Sequence, residues 1–198
     1  MKILHLISSP RGEASASIKL GRDIAEKLKA AHQGSTITEH NLTQAAYPHL
    51  EEVHFQSFFT PAEARTPEQA AAVVNSDAAV DELLAADAII IGVPMYNFSI
   101  HSSLKTWIDH VARSGKTFGY SANGPEGLVK NKKVYLAITT GGVYTEGPMQ
   151  SFDFTEQYLR TVLGFLGMTD ITTYRAEGLS MPGLQETALS KAMERVAV

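Results

Sequence analysis

The chain of 198 residues is 44% hydrophobic and 19% charged, carries a net charge of −4 and contains no cysteine. Without thiols there is no disulfide framework, thiolate metal site or cysteine nucleophile, and mild acidity with no basic run argues against a nucleic-acid partner. No segment approaches the ~18 consecutive apolar residues that cross a bilayer, so a cytoplasmic protein without a membrane partner is expected.

Ile3, Leu4, Leu6 and Ile7 mark a buried strand, broken by turn residues from Ser8 to Gly12. Ile18, Gly21, Ile24, Ala25 and Leu28 then recur at spacings of three and four, which predicts a helix capped by Ser15 or Ser17. Thr36 to Leu42 fits a more exposed strand. Residues 43–65 read as a long irregular loop with an apolar patch at 53–59, the kind of loop that serves as a lid or a partner contact. Thr66-Pro67-Glu68-Gln69 combines a cap, a proline at the first helical position and a capping-box glutamine. The helix it starts continues through Val73, Val80 and Leu83.

Ala88 to Val93 is apolar on both faces, as a central parallel strand should be, and Pro94 ends it. Leu104, Trp107, Ile108, Val111 and Ala112 trace a helical face, with Trp107 expected in the core. Residues 115–131 read as a loop, Val134 to Thr139 as a strand, 155–165 as a helix and 171–175 as a strand. Leu184, Ala188, Ala192 and Val196 mark a last helix. Strict alternation of strand and helix predicts one α/β domain over 1–198: a doubly wound, five-stranded parallel sheet with helices on both faces.

Ligands of such sheets bind beyond the carboxyl ends of the strands, and three strand-end loops have unusual compositions. The first, Ser8 to Ser17, is rich in hydroxyls and enters a helix N-terminus, which suits a monophosphate; it matches neither a P-loop nor a dinucleotide fingerprint. The same loop also reads as a plain polar turn with a serine cap. The second, Pro94 to His101, is aromatic and thioether-rich, fit either to hold a flat ring or to seal the core. The third, Thr139 to Tyr144, pairs Gly141 with Gly142, which permits close backbone approach and positive φ, or simply a flexible turn. The seven histidines show no metal-ligand spacing, and no metal is expected.

Through Ser9, Ser15-Ala16-Ser17, the run Val93 to Ile100, Asn123 to Leu128 and Thr139 to Gly142, the whole chain resembles the flavodoxin-like family of FMN-dependent NADH:quinone oxidoreductases and azoreductases. The resemblance implies that Ser9, Ser15, Ala16 and Ser17 hold the FMN phosphate. It assigns Met95, Tyr96, Asn97 and Phe98 to the ring and ribityl chain, and Thr139, Thr140, Gly141 and Gly142 to the pyrimidine edge. It also implies a homodimer with the active site at the interface, which gives the 53–59 patch and the substrate-contact candidates Phe118, Tyr120 and Tyr144 a role. Three positions depart from the family's pattern. His101 stands where many relatives carry a small residue or proline, Thr140 where some carry arginine, and Tyr144 where some carry histidine. They leave the choice between NADH and NADPH, and among acceptors, open.

The implied reaction is ping-pong: a nicotinamide gives a hydride, leaves, and a quinone or azo compound takes two electrons in the same slot. The flavin carries that chemistry, so no catalytic triad is expected; His101 and Tyr144 are the candidates for a proton donor. The main rival is an electron-transfer flavodoxin without its own turnover, although such carriers are usually smaller and more acidic. A hydrolase is disfavoured, since the G-x-S-x-G elbow is missing.

Overall fold

The computed structural model describes residues 1–198. The main sheet is built from β1 (Lys2–Ile7), β2 (Thr36–Asn41), β3 (Ala88–Pro94), β6 (Lys133–Thr139) and β7 (Asp170–Ala176). All pairings are parallel, in the order β2-β1-β3-β6-β7. The expected five-stranded doubly wound sheet is therefore present, with β1, β3 and β6 inside and β2 and β7 at the edges.

Alternation along the three inner strands divides the core in two. Leu4, Leu6, Ile89, Ile91, Val93, Leu136 and Ile138 face one layer, where they meet Trp107, Leu83 and Leu163. That layer holds α3 (Pro67–Ala85), α4 (Ser102–Val111) and α5 (Thr155–Leu166). Ile3, Ile90 and Ala137 face the other, against Leu20, Ile24 and Ala192 of α1 (Ala16–Ala31) and α6 (Ala188–Glu194). Small residues let α1 settle deeply. A side chain on Gly92 would stand 3.4 Å from the Ser17 carbonyl, and one on Gly21 would meet the buried His5 ring at 2.4 Å. The N-terminus of α1 is thereby brought down beside the ends of β1 and β3. No helix is long and apolar enough to cross a membrane.

Three segments differ from expectation. Residues 43–65 contain a helix, α2 (Glu52–Phe59). Its N-terminus is closed by the Glu51 N–H donating to His54 Nδ1 at 3.0 Å, so a histidine fills the position where Glu or Gln is the usual sign. Residues 115–131 contain an antiparallel hairpin, β4 (Phe118–Ser121) with β5 (Gly124–Gly127). The last helix is shorter than its apolar spacing suggested: Leu184 lies in a turn before it and Val196 beyond it.

Under α2 lies a cluster with a titratable centre. His110 of α4 is fully buried, and its Nε2–H donates to the Pro48 carbonyl at 2.9 Å. Its ring meets those of Tyr47, His54 and Phe58, and the Arg113 guanidinium stacks on Phe58 at 3.8 Å. Burial pushes the His110 pKa below 6.5; the Pro48 carbonyl opposes this, while His54 and Arg113 add to it. Below pH 6.5 the unfolded chain takes up a proton that folded His110 resists, so stability falls as pH drops. His110→Gln, which keeps an N–H for Pro48, should flatten the decline in melting temperature between about pH 6.5 and 5. Equal slopes for both proteins would remove His110 as its source.

Candidate active site

The carboxyl ends of β1, β3 and β6 place the three loops side by side, at the edge where parallel sheets bind ligands. After β1, Ser8 is buried and donates to the Gly92 carbonyl at 2.7 Å, tying the loop to β3. Ser9, Ser15 and Ser17 are also buried. Ser15 is the N-cap of α1, yet its hydroxyl makes no cap bond and meets the Ser17 hydroxyl at 3.0 Å instead. The first-turn amides of Ala16, Ser17 and Ile18 have no protein acceptor, and no acidic side chain occupies that turn. Two hydroxyls and a row of orphan amides at the positive end of a helix fit a phosphate monoester.

After β3, Met95 N–H donates to the Thr139 carbonyl at 2.9 Å, so the second loop leans on the third. Tyr96 and Ser99 exchange two backbone hydrogen bonds, of 2.9 and 3.1 Å, across a tight turn. Its centre is Asn97 and Phe98, both left-handed at φ 49° and 69°. Asparagine tolerates that region; phenylalanine does not, and its strained backbone pushes a half-exposed ring into the open. Phe98 and Tyr96 therefore do not seal the core. A cleft of about 750 Å³ opens beside the turn, between Pro10, Tyr96, Asn97, His101, Lys105 and Tyr158. His101 caps α4, its Nδ1 accepting the Ser103 N–H at 3.2 Å, and burial lowers its pKa. The helix cap accounts for its presence.

After β6, Thr139 and Thr140 are buried. The carbonyls of Thr140, Gly141 and Gly142 accept from Leu179, Ser180 and Gly178 at 3.1, 2.9 and 3.0 Å. That leaves the N–H groups of Gly141, Gly142 and Val143 without a protein partner. Neither glycine has a positive φ. They serve space instead: a side chain on Gly141 would stand 3.0 Å from Ser180 Oγ and one on Gly142 3.4 Å from the Tyr144 ring. Three free amides close to the Phe98 and Tyr144 rings fit the polar edge of a flat heterocycle. Together the loops offer a phosphate cradle, a flat apolar wall and a row of ring-edge donors, the functional parts of an FMN site.

A family model described as a flavodoxin-like fold matches residues 1–198. Over 197 residues the chain is 48% identical to a protein of Mesorhizobium japonicum named FMN-dependent NADH:quinone oxidoreductase, covering 99% of this chain and 94% of that one. It belongs to that flavodoxin-like oxidoreductase family. A Herminiimonas arsenicoxydans protein of the same name is 51% identical over 180 residues, 91% of this chain and 88% of the relative. The crystal structure of an azoreductase from Bacillus anthracis superposes with a TM-score of 0.90 at 32% identity, covering 98% of this chain and 95% of the other.

In this oxidoreductase the slot has side chains that no strand-end motif announced. Phe98 packs against Phe152 at 5.6 Å between ring centres and edge-on to Tyr144 at 6.4 Å. The Phe154 N–H donates to the Phe98 carbonyl at 3.1 Å, so the segment before α5 is fastened to the strained turn. Phe152 and Phe154 were not foreseen, because a Phe-x-Phe pair before a helix has no motif. Tyr144 stands at the slot, its N–H held by Glu177 at 2.9 Å. Phe118 and Tyr120 are not brought there. Their hairpin sits at the far end of α5, where Phe118 meets Phe165 at 4.8 Å. That is about 18 Å of helix away from the loops.

Proposed function

We infer that this chain is an FMN-dependent NADH oxidoreductase that reduces quinones and azo compounds by two-electron transfer. The observation that carries this reading is the meeting, at one end of the sheet, of orphan amides at α1, free amides at Gly141 to Val143 and the aromatic turn at Asn97-Phe98. FMN, when bound, supplies a centre that accepts and releases a hydride. Ser9, Ser15, Ala16 and Ser17 would hold its phosphate, Met95 to Phe98 would line the ring and ribityl chain, and Thr139 to Gly142 would meet the pyrimidine edge. Amides there would also stabilise negative charge that develops on that edge. Phe98, Phe152 and Tyr144 would shape the slot in which nicotinamide and acceptor take turns, the first leaving before the second enters. Tyr144, whose ring meets Phe98 edge-on at 6.4 Å, is the first candidate for a proton donor; His101, whose Nδ1 accepts the Ser103 N–H, keeps its Nε2–H free as the second.

Tyr120, exposed at the tip of the hairpin beside the half-buried Phe118, favours a homodimer in which the hairpin of one subunit reaches the slot of the other. A cytoplasmic setting suits an NADH-dependent enzyme. The purified protein should be yellow, bleach on addition of NADH and recover its visible bands with a quinone, and initial rates at varied NADH and quinone should give parallel double-reciprocal lines. A colourless protein that cannot be reconstituted with FMN would defeat the whole reading; intersecting lines would defeat only the alternation.

A further inference from the structure

Arg175 lies one residue from the end of β7 and is only 12% exposed on its side chain, yet it serves three carboxylates, two at the start of α5 and one just past β7. Its Nη2 donates to Asp153 at 2.6 Å and to Glu177 at 3.4 Å, and its Nη1 donates to Glu156 at 2.8 Å. Each of the two Nη2 partners passes the connection to a wall of the slot. Asp153, between Phe152 and Phe154, accepts the Thr155 N–H at 2.8 Å through its other oxygen and so ties both rings to the start of α5. Glu177 accepts the Tyr144 N–H at 2.9 Å and the Thr145 hydroxyl at 2.5 Å. One guanidinium thus joins the phenylalanine wall to the tyrosine wall. Arginine's planar fork lets Nη1 hold Glu156 while Nη2 serves Asp153 and Glu177; a lysine ammonium, one nitrogen on a flexible stem, does not reproduce that three-way arrangement.

We propose that Arg175 is a positioning residue that sets the width of the acceptor slot, so that longer two-ring azo compounds depend on it more than single-ring quinones do. The proposal rests on the reductase reading above. The Arg175 side chain bonds only to Asp153, Glu156 and Glu177 and to no residue of the phosphate cradle, so it acts through those carboxylates. A wide, flat acceptor needs both walls at fixed spacing, whereas a small quinone is held mainly by stacking.

The test uses the FMN-loaded protein with Arg175→Lys and Glu177→Gln, benzoquinone and a two-ring azo dye as acceptors, and FMN titration of each apoprotein by fluorescence quenching. In both variants the azo-dye KM should rise about tenfold with kcat changed less than about twofold, while the benzoquinone KM and the FMN affinity stay within about threefold. Equal changes in KM for the two acceptors, or no change in either, would overturn the positioning role. Loss of FMN affinity in parallel would also overturn it, since the residue would then support the whole site and not one dimension of the slot. Arg175→Lys keeps the charge among the carboxylates, and its melting temperature checks that it folds. A parent protein that reduces neither acceptor overturns the reductase reading itself, a failure visible before any variant is made.

Discussion

An Ala16→Asp variant should lose FMN affinity by at least about two orders of magnitude while its apoprotein melts no lower than the parent. Ala16 is the first residue of α1, half-buried between the serines of the cradle, in a turn with no acidic side chain. A carboxylate there favours the helix by about 0.3–1 kcal/mol, through the positive end of its dipole. The same charge at about 5 Å from a phosphate, at an effective dielectric near 20, costs roughly 3 kcal/mol of binding, a factor of about 100 or more. Fold and cofactor binding therefore respond in opposite directions. Fluorescence titration with FMN and a thermal melt of the apoprotein measure the two, and Ala16→Ser should stay within about threefold of the parent. An Ala16→Asp apoprotein that binds FMN as tightly as the parent would move the phosphate elsewhere.

Gly127→Ala should be the most damaging single methyl in the chain. Gly127 ends β5, and a side chain there would lie 2.2 Å from the Gly167 nitrogen and 2.4 Å from the Gly167 Cα and the Leu166 carbonyl carbon. All three are backbone atoms that cannot rotate away. Gly167 is itself the left-handed C-cap of α5 at φ 105°, so the two glycines are pressed together where the hairpin seats on the helix end. Overpacking against backbone costs about 3 kcal/mol, and for a protein of this length that is a fall of roughly 10 °C in melting temperature. Gly119→Ala in the same hairpin is the control. Its nearest contact would be Leu128 Cδ1 at 3.9 Å, and it should shift the melt by no more than about 2 °C. In the proposed dimer, where this hairpin meets the partner subunit's slot, the Gly127 variant should also show a raised acceptor KM at temperatures where it remains folded.

Legibility followed the range of the interactions. The inner strands were readable because burial on both faces leaves a short apolar run, as in Ala88 to Val93. The Thr66 to Gln69 start was readable because its capping box is local, with Gln69 N–H donating to Thr66 Oγ1 at 3.2 Å. The three site loops were found by composition at strand ends, but their physical reasons were only partly foreseen. Of the two freedoms read into Gly141 and Gly142, close approach and positive φ, the structure uses space at both, while the left-handed backbone falls on Asn97 and Phe98. α2 was missed because His54 stands in for the usual capping-box residue. The Gly-Pro-Glu-Gly strand was missed because nothing in it favours extended structure; pairing with Phe118 to Ser121 and the seat on α5 impose it. Arg175 and Glu177 are neighbours at the end of β7, but nothing in the sequence announces that Asp153, before α5, meets them.

The left-handed Phe98 also sets a trap for anyone selecting sturdier variants. Glycine at that position would relieve about 1–2 kcal/mol of backbone strain, so Phe98→Gly should emerge from a heat-tolerance screen of the apoprotein as an improvement. It would also strip away the ring that meets Phe152 and Tyr144, and a parallel screen for dye decolourisation should discard it. Robustness and activity compete at this one side chain, and a catalogue of thermostable substitutions for this enzyme would need both screens to avoid it.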